Sequence, residues 1–544
     1  MGFRMVNGGG LAVRLPFLHR HGQRGPAAMT VAGRPAASDP ARSGCRAPAP
    51  WVAVIATLVL AALILSAAAW LRGAEYDEQY TLFLTAGTAR PAWPVTPFPA
   101  ATVAAAQGGH AGLGEIAISL RQTDVHPPLY FWAVSLWRAA LGPSLFAARL
   151  FSVLCGLVSL ALVGGIARRC GIRPAGAMLL TLGSYGFAYT AIIARGFAPA
   201  LALTLGAVWL LAGRRRPGAL VGAGALLGAG ALFGAAAACN YLAVFVAIGV
   251  GLAGCIRSRR HWLLLPGAVP FLALDAWFFA AQHGARNGQF PPFALSSALP
   301  RLAGYQLAAL FGGLPLYADG PARPAIGAAI AALGLLLAAT VLSARPWAAS
   351  FRVRLLAAAA VAPPIGLLAL GAVFDNTPIE LRYLSFGVPF LALLLAWACG
   401  RRRGAWPLPV LAGAVQAAAI LGLALAPATM QPAGRAAWQA ARLGDGVSLA
   451  DGVVALVPLG NDGVGIVGAF GIEAPPALPL LVVRPADTAA DLRPRITPYR
   501  RVVLALLGQD RDSTATLPAM RQAVAGPGWR RIAAGSTTEA YERE

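Results

Sequence analysis

The chain is written as long apolar runs separated by short polar breaks. Unbroken apolar stretches fall near 51–71, 146–167, 175–193, 197–212, 218–236, 238–256, 262–280, 324–343, 353–374, 384–400 and 405–427. About 18–20 apolar residues in a helix cross the hydrocarbon of a bilayer, so these runs predict a polytopic, all-α membrane protein. Two shorter runs, 128–141 and 303–316, fall near or below that length and are ambiguous. The expectation is about eleven transmembrane helices, with thirteen as the alternative if both short runs cross. From about Met430 the pattern changes. Segments such as Gly452-Val453-Val454-Ala455-Leu456-Val457 and Arg501-Val502-Val503-Leu504-Ala505-Leu506-Leu507, with turn signals between them, predict strands of a small α/β domain over 430–544.

Charge orients the runs. Five loops carry arginine clusters without any acid: Arg168/Arg169/Arg173, Arg214/Arg215/Arg216, Arg257/Arg259/Arg260, Arg345/Arg352/Arg354 and Arg401/Arg402/Arg403. All five become cytoplasmic under the positive-inside rule only if both short runs fail to cross completely, or if one of their neighbours is mis-split. The N-terminus is then cytoplasmic and the C-terminal domain extracytoplasmic, in a multi-pass protein of the inner (cytoplasmic) membrane. Between 51 and 427 the acids are Glu75, Asp77, Glu78, Glu115, Asp124, Asp275, Asp319, Asp375 and Glu380. All but Asp275 fall in outer loops or at outer helix ends. Asp275 lies about one turn inside its helix, where carboxylates are costly and usually functional.

Composition removes other classes. With 58% hydrophobic and 12% charged residues in 544, the chain is not a soluble globular protein. Its 44 basic residues are all arginine, and the net charge is +23. Such a charge often marks a nucleic-acid binder. Here the arginines sit in short loops between apolar runs, so they set topology and no nucleic-acid partner is expected. Residues 1–50 form a basic tail, predicted to be disordered and cytoplasmic, with Asp39 its one acid. The run from Trp51 exceeds a signal-peptide core and reads as an uncleaved anchor. The six cysteines (Cys45, Cys155, Cys170, Cys239, Cys255 and Cys399) show no metal-ligand spacing. Tryptophans at segment ends, such as Trp51, Trp70, Trp262 and Trp397, read as an interfacial belt.

The chemistry concentrates in the first outer loop, 72–127, of the membrane domain 51–429. It opens on Glu75-Tyr76-Asp77-Glu78-Gln79-Tyr80 and closes on Asp124-Val125-His126-Pro127-Pro128. An aspartate just past a span can be partly desolvated yet meet a polar substrate, which suits a general base. Asp77 and Glu78 are the catalytic candidates, although adjacent acids after a helix are also common as solvated charge. In extended backbone, residues two apart share a side. Asp124 and His126 could therefore orient one acceptor or bind one metal ion, or Asp124 could simply cap the following helix.

These residues resemble a family. The acidic pair after the first span, then His126-Pro127-Pro128-Leu129-Tyr130-Phe131, Trp137-Arg138-Ala139-Ala140-Leu141-Gly142 and Ala148-Arg149-Leu150-Phe151-Ser152 are similar to the GT-C membrane glycosyltransferases. The nearest branch is the one with protein O-mannosyltransferases and lipid A aminoarabinose transferases. Ile193-Ala194-Arg195-Gly196-Phe197-Ala198 and Leu381-Arg382-Tyr383-Leu384 fit the same pattern. The resemblance implies transfer of a sugar from a polyprenyl-phosphate donor to a glycan, lipid or protein acceptor. Asp77 matches the family's catalytic aspartate and Glu78 its neighbour. Arg382 with Tyr383, and Arg195 as second choice, would lie at the donor phosphate. Some relatives carry a second acid where this chain reads Ala194-Arg195-Gly196-Phe197. A divalent cation is therefore left open, with Asp77, Asp124 and His126 as possible ligands and Asp275 as a substitute. The alternative from another class is an envelope lipid or polysaccharide transporter, which would place ionisable residues near span midpoints.

Overall fold

The computed structural model describes residues 50–213, 219–282, 290–312, 320–402, 404–405, 407–425, 432–449 and 452–544. The basic tail, Arg214 to Arg216, Asp319 and Arg403 lie outside the described residues. The membrane part is helical, as predicted. Among the described residues, seven helices are long and apolar enough to cross a bilayer, or eight if one bent pair is counted as a span. Three shorter apolar helices, Phe197–Leu211, Tyr241–Arg257 and Pro407–Leu423, complete the set of runs read from the sequence.

Helix α1 (Pro50–Leu71) leads into α2 (Tyr76–Ala86), α3 (Ala101–Ala106) and α4 (Leu113–Thr123), which build the first loop. Then come α5 (Leu129–Leu141), α6 (Leu145–Arg169), α7 (Pro174–Gly183), α8 (Tyr185–Ile192) and α9 (Phe197–Leu211). The 13 residues of α5 extend only about 20 Å at 1.5 Å per residue, short of a bilayer's hydrocarbon. The run 175–193, expected as one span, breaks at Ser184, where α7 and α8 meet at 72°. Next are α10 (Ala219–Cys239), α11 (Val244–Arg257), α12 (Leu264–Gln282) and α13 (Leu295–Phe311). Glycines let α10 and α12 approach closely. A Cβ on Gly230 would overlap the Leu264 carbonyl, and one on Gly267 the Leu227 carbonyl. The series closes with α14 (Ala322–Ser343), α15 (Phe351–Phe374), α16 (Val388–Arg401) and α17 (Pro407–Leu425). Lipid explains the outward apolar side chains, such as Leu63 at 66% and Leu335 at 72% exposure.

The last part folds around a sheet: α18 (Pro432–Leu443), α19 (Gly465–Glu473), α20 (Ala489–Ile496) and α21 (Arg511–Ala523), with β2 (Val453–Pro458), β3 (Pro479–Val483), β4 (Arg501–Ala505), β5 (Trp529–Ala534) and β6 (Thr538–Arg543). Strands β3, β2 and β4 are parallel, and β6 and β5 add antiparallel. Every residue of β2 and β3 is buried, which accounts for their unbroken apolar sequence. The sheet has one further member that the sequence did not announce. Strand β1 (Phe98–Pro99), from the first loop, pairs antiparallel with β3, Phe98 opposite Leu480. Trp93 stacks on Phe98 and donates its indole N–H to the Gly463 carbonyl at 2.6 Å. The first loop and the C-terminal region thus share one core, containing Phe83, Trp93, Val103, Val457 and Phe470.

Candidate active site

The site begins where α1 ends. Glu75 is extended (φ −90°, ψ 146°) and caps α2, its side chain taking the Glu78 N–H while Glu78 accepts from the Glu75 N–H. The capping box and the positive end of the helix dipole both favour acids here, so Asp77 and Glu78 stabilise the first turn that displays them. From the C-terminal region, Glu473 accepts the Ala74 N–H at 2.6 Å, and α19 packs against α2.

Glu78 has no exposed surface and is fully engaged. Arg149 donates to it twice, Nε to Oε1 at 2.8 Å and Nη2 to Oε2 at 2.6 Å. The Ala194 N–H donates to Oε1 at 2.8 Å and the Glu75 N–H to Oε2 at 3.1 Å. A carboxylate with all these donors holds structure together; it ties α2, α6 and the α8–α9 loop at one point. Arg149 is itself only 2% exposed and also donates to the carbonyls of Ala69, Arg72 and Gly73. Glu75 receives Arg72 (Nη2 to Oε1, 2.6 Å) and the Tyr189 hydroxyl. Burial alone would push the Glu75 carboxyl up, but Arg72, the Tyr189 hydroxyl and Arg149 outweigh it and hold it below the ordinary range.

Asp77 points elsewhere. Its carboxylate forms an ion pair with Nη1 of Arg382, in the 3-10 segment Leu381–Gly387 that leads into α16. The two side chains keep 12% and 19% of their surface, more than the Glu78–Arg149 pair retains. The Arg382 Nε is buried and has no hydrogen-bond partner among the described residues. The guanidinium also lies over the Tyr383 ring at 5.5 Å, and that ring stacks on Phe197. One carboxylate and one guanidinium therefore meet in a pair that is less fully buried than the Glu78–Arg149 pair beside it.

The second motif behaves as its alternation predicts. Asp124 is extended (φ −132°, ψ 179°), and its Oδ1 lies 2.6 Å from Nδ1 of His126. Nε2 of His126 is 2.9 Å from Nη2 of Arg195. An arginine only donates, so Nε2 is the acceptor, and Nδ1 carries the proton that Asp124 accepts. Burial alone would raise the Asp124 carboxyl. His126, Arg195 and the Val125 N–H overcome that and hold it well below the usual carboxylate range. Nη1 of Arg195 is buried without a hydrogen-bond partner among the described residues. Its loop is fixed by Glu78 on the Ala194 N–H, by Thr81 on the Ala194 carbonyl and by Ser152 on the Ile193 carbonyl. Gly196 must be glycine, since a Cβ would overlap the Cys239 carbonyl.

These pairings do not fit a divalent cation. Asp77 is engaged by Arg382, and both His126 nitrogens are engaged by Asp124 and Arg195. Among the described residues, no three His, Cys, Asp or Glu side chains group closely enough to hold a metal ion. Asp275 is buried in α12, and among the described residues neither of its oxygens is hydrogen-bonded and it belongs to no such group. Sequence reasoning assigned no role to Glu75, Arg72, Tyr189, Arg149 or Gln282. Arg149 lay within a quoted motif, and an arginine in the second turn of a spanning helix was the available signal. Gln282 holds the other motif in place, donating to the carbonyls of Leu120 and His126 and accepting from the Tyr241 hydroxyl.

The architecture is a GT-C membrane glycosyltransferase fold. Residues 125–277 match the family model of dolichyl-phosphate-mannose-protein mannosyltransferases. That segment includes His126, Arg149 and Arg195, while Asp77 and Arg382 lie outside it. The structure is similar to ArnT from Cupriavidus metallidurans bound to undecaprenyl phosphate, with TM-score 0.52 and 12% identity over 91% of this chain and 98% of that one. Against the apo state of that ArnT the TM-score is 0.51, with 12% identity over 90% and 97%. An oligosaccharyltransferase from Archaeoglobus fulgidus aligns at TM-score 0.41 and 13% identity over 90% and 74%. No curated protein matches the chain by sequence.

Proposed function

We propose that the protein is an integral-membrane glycosyltransferase that moves a sugar from a polyprenyl-phosphate donor to the hydroxyl of a glycan, lipid or protein. The observation that carries this reading is the apposition of Asp77 and Arg382 on this fold, less buried than the Glu78–Arg149 brace beside it. On binding, the donor phosphate draws Arg382 away from Asp77, because a phosphate oxyanion suits the guanidinium fork at least as well as the carboxylate. Asp77 is thereby released at the moment a base is needed.

The acceptor oxygen attacks the anomeric carbon while its proton passes to an Asp77 oxygen. The carbon–oxygen bond to phosphate breaks on the opposite face, and polyprenyl phosphate leaves with the electron pair, so the anomeric centre inverts. Arg382 stabilises the charge that develops on the phosphate, and the unpartnered Nη1 of Arg195 supplies a second donor. Asp124 and His126 orient Arg195, and Tyr383 packs beside Arg382. Glu78 aligns Asp77 and the Arg195 loop rather than exchanging protons. The arginine-rich loops support a cytoplasmic-membrane orientation in which this site and residues 430–544 face outward.

The test is release of polyprenyl phosphate by purified protein in lipid, supplied with radiolabelled polyprenyl-phosphate sugars. Asp77→Asn should lose roughly 10²-fold or more in rate with normal expression and folding. Retained turnover in that variant removes Asp77 from the mechanism.

A further inference from the structure

The helices that bring candidate-site residues together at one end carry arginines at the other. Near its start, α6 reaches the end of α1 through Arg149, and its 25 residues close on Arg168 and Arg169. The segment with Arg382 leads into α16, which ends at Arg401. A helix of 25 residues is about 37 Å long, so the two ends lie on opposite membrane faces.

From that far end inward, α1, α7, α16 and α17 surround a cavity of about 1230 Å³, reaching as far as Ala67 of α1, that none of the candidate-site residues lines. Its walls are apolar, with Leu60, Ile64, Leu179 and Leu421 among them. Gly176 and Gly413 form part of the wall, and a Cβ on either would meet nothing within 4 Å. Its mouth is cationic. Arg173, Arg401 and Arg402 line it, all three are exposed, and none has an ion-pair partner among the described residues.

We propose that this cavity binds a two-chain anionic phospholipid from the leaflet on that face, its phosphate held by Arg173, Arg401 and Arg402 and its acyl chains by the apolar walls. Charge complementarity selects the occupant: three guanidinium groups without a carboxylate call for a phosphate. Size agrees, because the space exceeds the roughly 300–1,000 Å³ typical of small-molecule pockets. Positive-inside topology alone would put arginines near head groups without a cavity. The Arg257/Arg259/Arg260 cluster is that case, because the neighbouring apolar cavity measures about 260 Å³ and no arginine lines it. The proposal needs only that the chain spans a membrane, so it stands or falls separately from sugar transfer.

Native mass spectrometry of the delipidated full-length protein tests it, with phosphatidylglycerol, phosphatidylcholine of the same chains and undecaprenyl phosphate as probes. Phosphatidylglycerol should be retained in preference to the other two. R173Q/R401Q/R402Q should weaken that retention roughly 100-fold, whereas R257Q/R259Q/R260Q should leave it unchanged. Gly413→Phe, which fills the cavity and keeps the arginines, should also abolish it, and it decides the matter if the triple variant does not elute as folded protein. Equal retention of phosphatidylcholine, preference for undecaprenyl phosphate, or unchanged binding in the cavity variants would overturn the proposal.

Discussion

The Glu78–Arg149 pair makes a quantitative claim about what holds the candidate site. With 0% and 2% exposure, the two charges are stable only because each faces the other. Arg149→Met leaves Glu78 with two backbone N–H groups and no counter-charge, and strips a charged donor from the carbonyls of Ala69, Arg72 and Gly73. Breaking one side of a buried pair costs about 3–5 kcal/mol. Glu78→Gln leaves the opposite orphan, a buried guanidinium, and sets an amide N–H₂ among donors; a loss of similar size is expected. The double variant removes both charges. Its loss should fall short of the sum of the singles by about 2–3 kcal/mol, the upper end for residues in direct contact. Equilibrium unfolding in mixed detergent micelles reads all four corners of the cycle. High salt should leave the coupling nearly intact, since ions screen buried pairs weakly. Single losses below about 0.5 kcal/mol, or additivity within that margin, would refute the brace.

Three further outcomes follow from the geometry. Gly196→Ala should lower turnover and cost about 1–3 kcal/mol through overpacking, because the new methyl must displace either the Arg195 loop or the Cys239 carbonyl; wild-type turnover in that variant would refute the fit. Trp93→Ala should cost about 3–5 kcal/mol of local packing and speed proteolysis within 87–100 while the spanning helices stay resistant; unchanged cleavage would remove Trp93 from the docking. For Asp124 the folded carboxyl lies below its unfolded value of about 3.9, so its stabilisation is complete above that pH and is lost as pH falls through the folded value. The stability difference between wild type and Asp124→Asn should shrink as pH falls below about 4; a difference that grew on acidification through that range would contradict the assignment.

Much of this was legible because apolar run length and charge asymmetry act locally. The runs became helices at the positions read, and the extended Asp124–His126 segment placed both side chains on one side. What failed to show was set by distant contacts. Ser184 sits in an apolar run that reads as one span, and only the packing of α7 and α8 reveals the 72° bend. The two residues of β1 are too short to signal a strand and form one only because β3 offers an open edge. The adjacent acids read alike in sequence; partners 71 and about 300 residues away make Glu78 a fully buried brace and leave Asp77 in the less buried pair. No local signal separates them.

The strand shared between the first loop and the C-terminal sheet also has a temporal meaning. Ribosomes deliver the Asp77 loop early, but its partner Leu480 and the Glu473 acceptor for Ala74 arrive almost 400 residues later. At about 5–20 residues per second, the loop waits tens of seconds with its edge strand unpaired and Trp93 uncovered. A nascent or truncated chain therefore inserts its helices without finishing the site. Residues 473–480 complete the first loop, so its docked form is reached only after that segment has been made.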